Sequence, residues 1–343
     1  MSGKYAGYYC CHIPLELIIA SGLVPYRLNG LGDFPEKSYS YFPGNFCMFT
    51  RSCLNQSLTL DSESFAGLII ASSCDSMERF YDIANKYTHL PFVHLLDMPR
   101  KTGSSAIRYF TEQINLLKKT LEDYTGFRIS QDKIREAIFL YNENRGLFRK
   151  IDLLRKDIYI PSSYIMDIII KQPAPAELNI KLKEILNKDF DGKKEFLPKL
   201  MISGSAMEDL TFINLIESSG AHVVYEDFCF LRHVRMSVDT EKPPLEALSE
   251  GYLHKSPCAR MCGSVKERLK NIKEIIANYS VDGIIFYLIK FCDIFSWDIH
   301  MLVSSLRSMD IPVLVIEGDY PVKARGQLAS RVRAFIEMFE DRL

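Results

Sequence analysis

The chain has almost no net charge: its 343 residues carry 42 Lys and Arg against 43 Asp and Glu, a formal −1. Such a balance supplies no global field to attract nucleic acid or an anionic membrane, and neither is expected as a partner. No uninterrupted apolar run reaches the roughly 18 residues of a membrane span. The opening MSGKYAGYYCCHIPLE lacks the basic start, apolar centre and small-residue cleavage site of a secretory signal, so a cytoplasmic location is expected. There is no GxxxxGK[ST] to cradle phosphate, and the turn Ser203-Gly204-Ser205-Ala206 has one glycine where a dinucleotide fingerprint needs GxGxxG. HExxH and the paired CxxC of zinc sites are missing as well. Cys258 and Cys262 form a CxxxC, but a radical-type CxxxCxxC would need cysteine at position 265, which is Val265.

What is present is a globular composition, 47% apolar and 25% charged, in a chain of natural length for two domains. The nine cysteines are Cys10, Cys11, Cys47, Cys53, Cys74, Cys229, Cys258, Cys262 and Cys292. Their odd number, in a large chain expected in a reducing compartment, argues against a disulfide framework. They are therefore read as buried apolar residues or as metal ligands.

Two stretches far apart share one pattern. VDGIIFYLIKFCD (Val281 to Asp293) and FAGLIIASSCD (Phe65 to Asp75) are apolar runs rich in β-branched and aromatic residues, each ending in Cys-Asp. In a parallel sheet ligands sit beyond the carboxyl ends of the strands, so Cys74 and Cys292 are expected at a cleft. LVPYRL, PFVHLLDMP, KLMISG, HVVYEDFC and DIPVLVIEGDY read as further strands, alternating with helical segments. Pro14 to Ala20 reads as a short helix. CMFTRSCLNQSLTL reads as a helix with Cys47 at its start, where the dipole favours a thiolate. Asp75 is the expected N-cap of SMERFYDIANKY.

From Ser104 the pattern changes to long amphipathic helices, one ending on Gly126 and the next starting on Ser130, followed by DIYIPSSYIMDIIIKQ. The fold expected is α/β: two doubly wound parallel-sheet lobes, 1–103 and 196–343, with a helical insert at 104–195 between them. DFDGKKEFLPK is the expected hinge into the second lobe.

A lone cysteine is usually a small buried hydrophobe, and Cys11, Cys53, Cys258 and Cys262 are read so. Cys10, Cys47, Cys74 and Cys292 differ, because each sits at a strand end, a helix start or an N-terminal turn. Gathered across two lobes, such thiolates would hold an iron–sulfur cluster in the cleft.

The ordered blocks GYYCCHIPLELIIASGLVPYRL, FCMFTRSCL, SSCDSMERFYDIANKY, GAHVVYEDFC, YLHKSPCARM, VDGIIFYLIKFCD and VLVIEGDY resemble the 2-hydroxyacyl-CoA dehydratase and benzoyl-CoA reductase family over essentially the whole chain, most closely the smaller dehydratase subunits. The resemblance implies a [4Fe-4S] cluster held by three cysteines with one iron open. It also implies a similar partner subunit and an ATP-dependent activator that injects one low-potential electron. The reaction implied is elimination of water from an acyl-CoA substrate through a ketyl radical. Carried over, Cys10, Cys47, Cys74 and Cys292 are the candidate ligands, with the choice of three left open. Glu16 in Pro-x-Glu is the candidate acid/base and His12 a second. The plain alternative for Glu16 is a first-turn carboxylate meeting the helix dipole, and for His12 an ordinary turn residue. Phe230-Leu231-Arg232-His233 replaces the family's Gly and small residue after Cys229, and the chain is short for the family, which leaves the substrate open. A related branch carries a double-cubane [8Fe-9S] cluster in a homodimer and reduces small molecules. A cluster-free partner subunit is the third reading.

Overall fold

A computed structural model describes residues 3–32, 36–171, 174–190, 197–255, 257–323 and 325–339. The first lobe contains β1 (Tyr5–Tyr8), α1 (Leu15–Ala20), β2 (Val24–Arg27), α2 (Met48–Ser57), β3 (Phe65–Ala71), α3 (Asp75–Tyr87) and β4 (Phe92–Leu96). Four helices follow: α4 (Ser104–Thr125), α5 (Gln131–Leu154), α6 (Ser162–Ile170) and α7 (Pro175–Asn187). The second lobe contains β5 (Lys199–Gly204), α8 (Leu210–Ser218), β6 (His222–Asp227), α9 (Arg232–Arg235) and α11 (Ser264–Tyr279), while α10 (Pro244–His254), between α9 and α11 in the chain, packs in the first lobe's core through Ala247, Leu248, Tyr252 and Leu253. The second lobe closes with β7 (Gly283–Ile289), α12 (Asp293–Arg307), β8 (Val313–Gly318) and α13 (Arg325–Glu337).

Both sheets are wholly parallel and share one strand order, β2-β1-β3-β4 and β6-β5-β7-β8. The architecture is the expected α/β one, two parallel sheets with flanking helices. In each, the chain reverses its winding beside the lobe's first strand, so the switch point lies between β1 and β3 and between β5 and β7. A parallel sheet covered on both faces needs apolar side chains at every position. β7 shows this directly: Ile284, Phe286 and Leu288 belong to the core shared with α11 and α12, while Ile285, Tyr287 and Ile289 belong to the core on the opposite face. In β3 the same alternation sends Leu68 and Ile70 one way and Ile69 and Ala71 the other.

Sequence reading and structure part at three places. Tyr5–Tyr8, to which the sequence reading assigns no element, is the inner strand β1; its four residues include Gly7, and a short glycine-containing strand gives little local signal. α7 is not among the expected helices, although Pro175 opens it where a missing N–H costs little. The N-cap of α3 is Cys74 and not Asp75, which is already helical. Ser130 caps α5 by accepting from the Lys133 amide, and Gly126 ends α4 in the left-handed conformation, both as expected. Residues 191–196 of the expected hinge lie outside the described residues.

The lobes are joined by buried charge. Arg27, at the end of β2, donates from Nε to both carboxylate oxygens of Glu208 at 2.9 Å and from Nη2 at 2.5 Å. Tyr320 donates to the Asn29 carbonyl at 2.5 Å. α5 spans both cores: Ile134, Ile138 and Tyr141 pack in the first lobe, Leu147, Phe148 and Ile151 in the second. Arg27→Met strands the Glu208 carboxylate in the interior, which is expected to cost about 3–5 kcal/mol of unfolding free energy. Urea titration checks this against Lys171→Met, which removes an exposed pair with Asp167 and is expected to change stability by less than about 1 kcal/mol.

Candidate functional site

Three helices begin on cysteine. Cys47, Cys74 and Cys292 are the N-caps of α2, α3 and α12, and none of their side chains forms a capping hydrogen bond to its own helix. The sulfurs are thus left for the cleft, while the amides of Thr50, Met77 and Phe295, each the third residue of its helix, favour the thiolates. Cys74 follows β3 and Cys292 follows β7, so these two stand at the carboxyl ends of the strands flanking the switch points. Phe291, in the left-handed region at φ 64°, turns the chain out of β7, and the Cys292 amide closes the turn on the Ile289 carbonyl at 3.0 Å. Gly204 turns β5 in the same way: at φ 148°, a Cβ there would stand 2.0 Å from the Tyr287 carbonyl oxygen. It delivers Ser205, whose hydroxyl accepts from the Ile289 amide at 3.2 Å.

These elements surround one cavity of about 100 Å³ between the sheet ends. Cys47, Cys74 and Cys292 form one side of its sulfur lining. Cys10, Cys11, Cys229 and Cys258 make a second group in the lining, to which Ser205 and Arg260 also belong. Phe49, Met77, Ile289 and Phe295 make the rest largely apolar. All nine cysteines are free, and Cys262 alone is exposed. The four cysteines singled out in the sequence therefore line a single space. Three more line it that sequence reasoning misses: Cys11 and Cys258 read as core, and Cys229 only as a strand end. Cys53, on α2, is fully buried in the core beneath the first sheet.

Hydrogen bonding orders the thiols. Cys47 donates to Cys292; that bond, and then burial, raises the Cys47 pKa well above its ordinary value. The same bond brings Cys292 down to about 7. Burial pushes Cys74 up to about 11. On the other side Cys229 donates to Cys11 and Cys11 to Cys10, which lowers the Cys10 pKa and raises that of Cys11 to about 12. His12 Nδ1 lies 3.6 Å from the Cys10 sulfur and 3.8 Å from that of Cys11. Burial, followed by the charges of Lys255, Arg260 and Arg232, holds the His12 ring neutral. Donor atoms of Cys10, Cys11 and His12 all fall within 4.8 Å of one another, a spacing that can hold a metal ion.

A second hollow of about 330 Å³ shares Cys47, Cys74, Cys292 and Arg260 with the first and opens outward past Phe291 and Trp297. Trp297 is the only tryptophan of the chain and is 81% exposed.

Glu16 lies elsewhere. It is fully buried and does not line the cavity. Its Oε1 pairs with Arg145 Nη2 at 2.7 Å, and its Oε2 accepts from the Tyr252 hydroxyl at 2.8 Å. The Tyr252 oxygen in turn accepts from the Leu15 amide at 3.2 Å. The cluster ties α1 to α5 and α10, directly behind the Cys10–His12 turn.

The family described as 2-hydroxyglutaryl-CoA dehydratase, D-component, matches residues 10–339. The chain belongs to this family. It is 22% identical to the (R)-phenyllactyl-CoA dehydratase beta subunit of Clostridium sporogenes, over 97% of this chain and 91% of that protein. It is 26% identical to one of the subunits of benzoyl-CoA reductase from Thauera aromatica, over 91% of this chain and 85% of that protein. It is 22% identical to the beta subunit of (R)-2-hydroxyglutaryl-CoA dehydratase from Acidaminococcus fermentans, over 97% and 92%. The family joins 2-hydroxyacyl-CoA dehydratases, which are lyases, with the related benzoyl-CoA reductase. Among the described residues no helix is long and apolar enough to cross a membrane.

The Glu16 cluster yields a test. Glu16→Gln leaves the Arg145 guanidinium buried without its counter-charge, and a loss of about 3–5 kcal/mol in unfolding free energy is expected. Tyr252→Phe removes one hydrogen bond to the carboxylate and is expected to cost about 1–3 kcal/mol. Chemical denaturation of both variants checks the order; unchanged stability in Glu16→Gln with lost turnover would instead mark Glu16 as an acid/base.

Proposed function

We propose that this chain is the iron–sulfur subunit of a low-potential enzyme of the 2-hydroxyacyl-CoA dehydratase type. On this reading it works in the cytoplasm with a similar subunit, or with a second copy of itself, on an acyl-CoA thioester. An ATP-dependent iron–sulfur activator feeds it one electron. The observation that carries the reading is the convergence of three N-cap cysteines on a largely apolar cavity that four further cysteines also line. Thiolates are the ligands such clusters take, and a largely apolar lining suits a low potential. A cluster bound there supplies one-electron chemistry and, at an iron without a protein ligand, Lewis acidity toward a thioester carbonyl or a leaving hydroxyl.

The chain's own residues have separate tasks. Cys47, Cys74 and Cys292 are the ligands of a single [4Fe-4S] cluster, which selects three of the four sequence candidates. The hollow beyond them, rimmed by Phe291 and Trp297, is the approach from solvent. His12 does not line the cavity; burial and the cations Lys255, Arg260 and Arg232 oppose its protonation, so it serves as a neutral hydrogen-bonding partner behind Cys10 and Cys11 rather than as the acid/base. Glu16 acts as a positioning residue: through Arg145 and Tyr252 it holds the helix that follows the Cys10–His12 turn.

A second reading has its own observation. The set Cys10, Cys11, Cys229 and Cys258 is more than one cubane needs, and a second set of thiols in the same space fits a double-cubane [8Fe-9S] cluster and reduction of small molecules by a homodimer.

Iron and acid-labile sulfide, measured on protein purified without oxygen, separate the readings. About four irons per chain fit the single cluster and about eight the double cubane. No iron after anaerobic handling would point to a cluster-free partner subunit. Cys74→Ser and Cys292→Ser are each expected to lose iron and activity, while Cys262→Ser, on the exposed thiol, keeps both. The double variant Cys229→Ser/Cys258→Ser keeps its iron under the first reading and loses about half of it under the second.

A further inference from the structure

The two sulfur-bearing sides of the cavity are built on different electrostatics. Helix N-termini favour the thiolates of Cys47, Cys74 and Cys292, and the strongest influences on them include no cation. Cations gather around the other side. Arg232 is there but is paired with Asp227, at 3.0 and 3.1 Å. Arg27, near Cys229, is paired with Glu208. Those charges cancel.

Lys255 and Arg260 are not cancelled. Each is only 6% exposed, and neither has a carboxylate within ion-pair distance among the described residues. The Lys255 ammonium donates to the Tyr252 carbonyl at 2.8 Å. Arg260 donates to the carbonyls of Pro99, Met98 and Ser72 at 2.7, 3.0 and 3.2 Å, and its buried Nε has no acceptor. Among the described residues Asp97 is the one carboxylate that acts on Arg260; it lies beyond ion-pair distance and acts less strongly than Cys258 and Cys10. What both cations do have within electrostatic reach is Cys10 and Cys258, and for Lys255 also Cys11. Two buried positive charges without partners are strongly unfavourable, and a protein keeps them where an anion belongs beside them.

We propose that Lys255 and Arg260 are the counter-charges of an anionic metal–sulfur group on the side formed by Cys10, Cys11 and Cys258, and that they set its reduction potential. The proposal rests on the second iron–sulfur reading above, in which the thiols on this side also hold iron. A nearby cation stabilises the more negative, reduced state, so removing it lowers the potential.

The test is a potentiometric titration of anaerobically purified, iron-loaded protein followed by electron paramagnetic resonance, with iron counted on the same sample. Lys255→Met and Arg260→Leu are each expected to shift the midpoint to lower potential. Lys255→Arg and Arg260→Lys keep the charge and are expected to hold the wild-type midpoint. The second matters because Arg260→Lys loses the carbonyl bonds yet keeps the cation, which separates charge from loop packing. Should Lys255→Met fail to fold, Lys255→Gln makes the same charge change with a polar side chain. A Lys255 variant with wild-type iron and wild-type midpoint would overturn the proposal and leave the iron–sulfur reading standing. Wild-type protein with about four irons per chain, or with none, would overturn both the proposal and the reading it rests on.

Discussion

Covering both faces of two small parallel sheets is the constraint on which the rest of this molecule depends. A parallel strand needs a crossover at each end, and the crossovers lay helices on both faces. Every side chain of β3 and β7 is therefore buried, alternately in one core and the other. The only places where such a sheet can present chemistry are the ends of its strands. Because both lobes share one strand order, both have a switch point beside their first strand, and the cavity forms between those two sets of ends. Cys74 and Cys292 follow from this placement, since the residue between a strand end and the next helix is an N-cap and its thiol faces the cleft; Cys47 reaches the same cavity from the loop before α2.

Holding the lobes in register falls to buried ions. Arg27 with Glu208, Arg155 with Glu226 and Arg145 with Glu16 each join segments distant in the chain, and all six residues are almost fully buried. Such pairs are poor sources of net stability, because desolvation offsets much of their attraction. They are effective at excluding alternatives, since any other docking of the lobes would strand a charge. Lys255 and Arg260 break this rule of pairing, and they do so beside the cysteines.

Much of the architecture was legible in the residues. Seven of the eight strands among the described residues could be read: β3 and β7, buried on both faces, are apolar throughout, and even the half-buried β2 and β4 lie in short, largely apolar runs. Cys47 could be read as a helix start for the same local reason. β1 could not: Tyr5-Ala6-Gly7-Tyr8 is a strand because β2 and β3 flank it, not because its residues prefer to be one. Asp75 was a reasonable N-cap by residue preference, yet the helix begins one residue earlier: Ser72 and Ser73 lead out of β3, Cys74 is the N-cap and Asp75 is already helical.

The sequence by itself determined the class of fold, the order of its elements and the cysteines that stand at strand ends and helix starts, because these are properties of a residue and its near neighbours. Tertiary structure alone decided which cysteines share a space. It brought Cys11, Cys229 and Cys258 beside Cys10 and separated them from Cys53 and Cys262. It also turned Glu16 away from the cavity and into a pair with Arg145. The physical reason is the same throughout. Burial and preference act locally, whereas hydrogen bonds between thiols and the pairing of charges depend on distances that only the packing of two lobes can set.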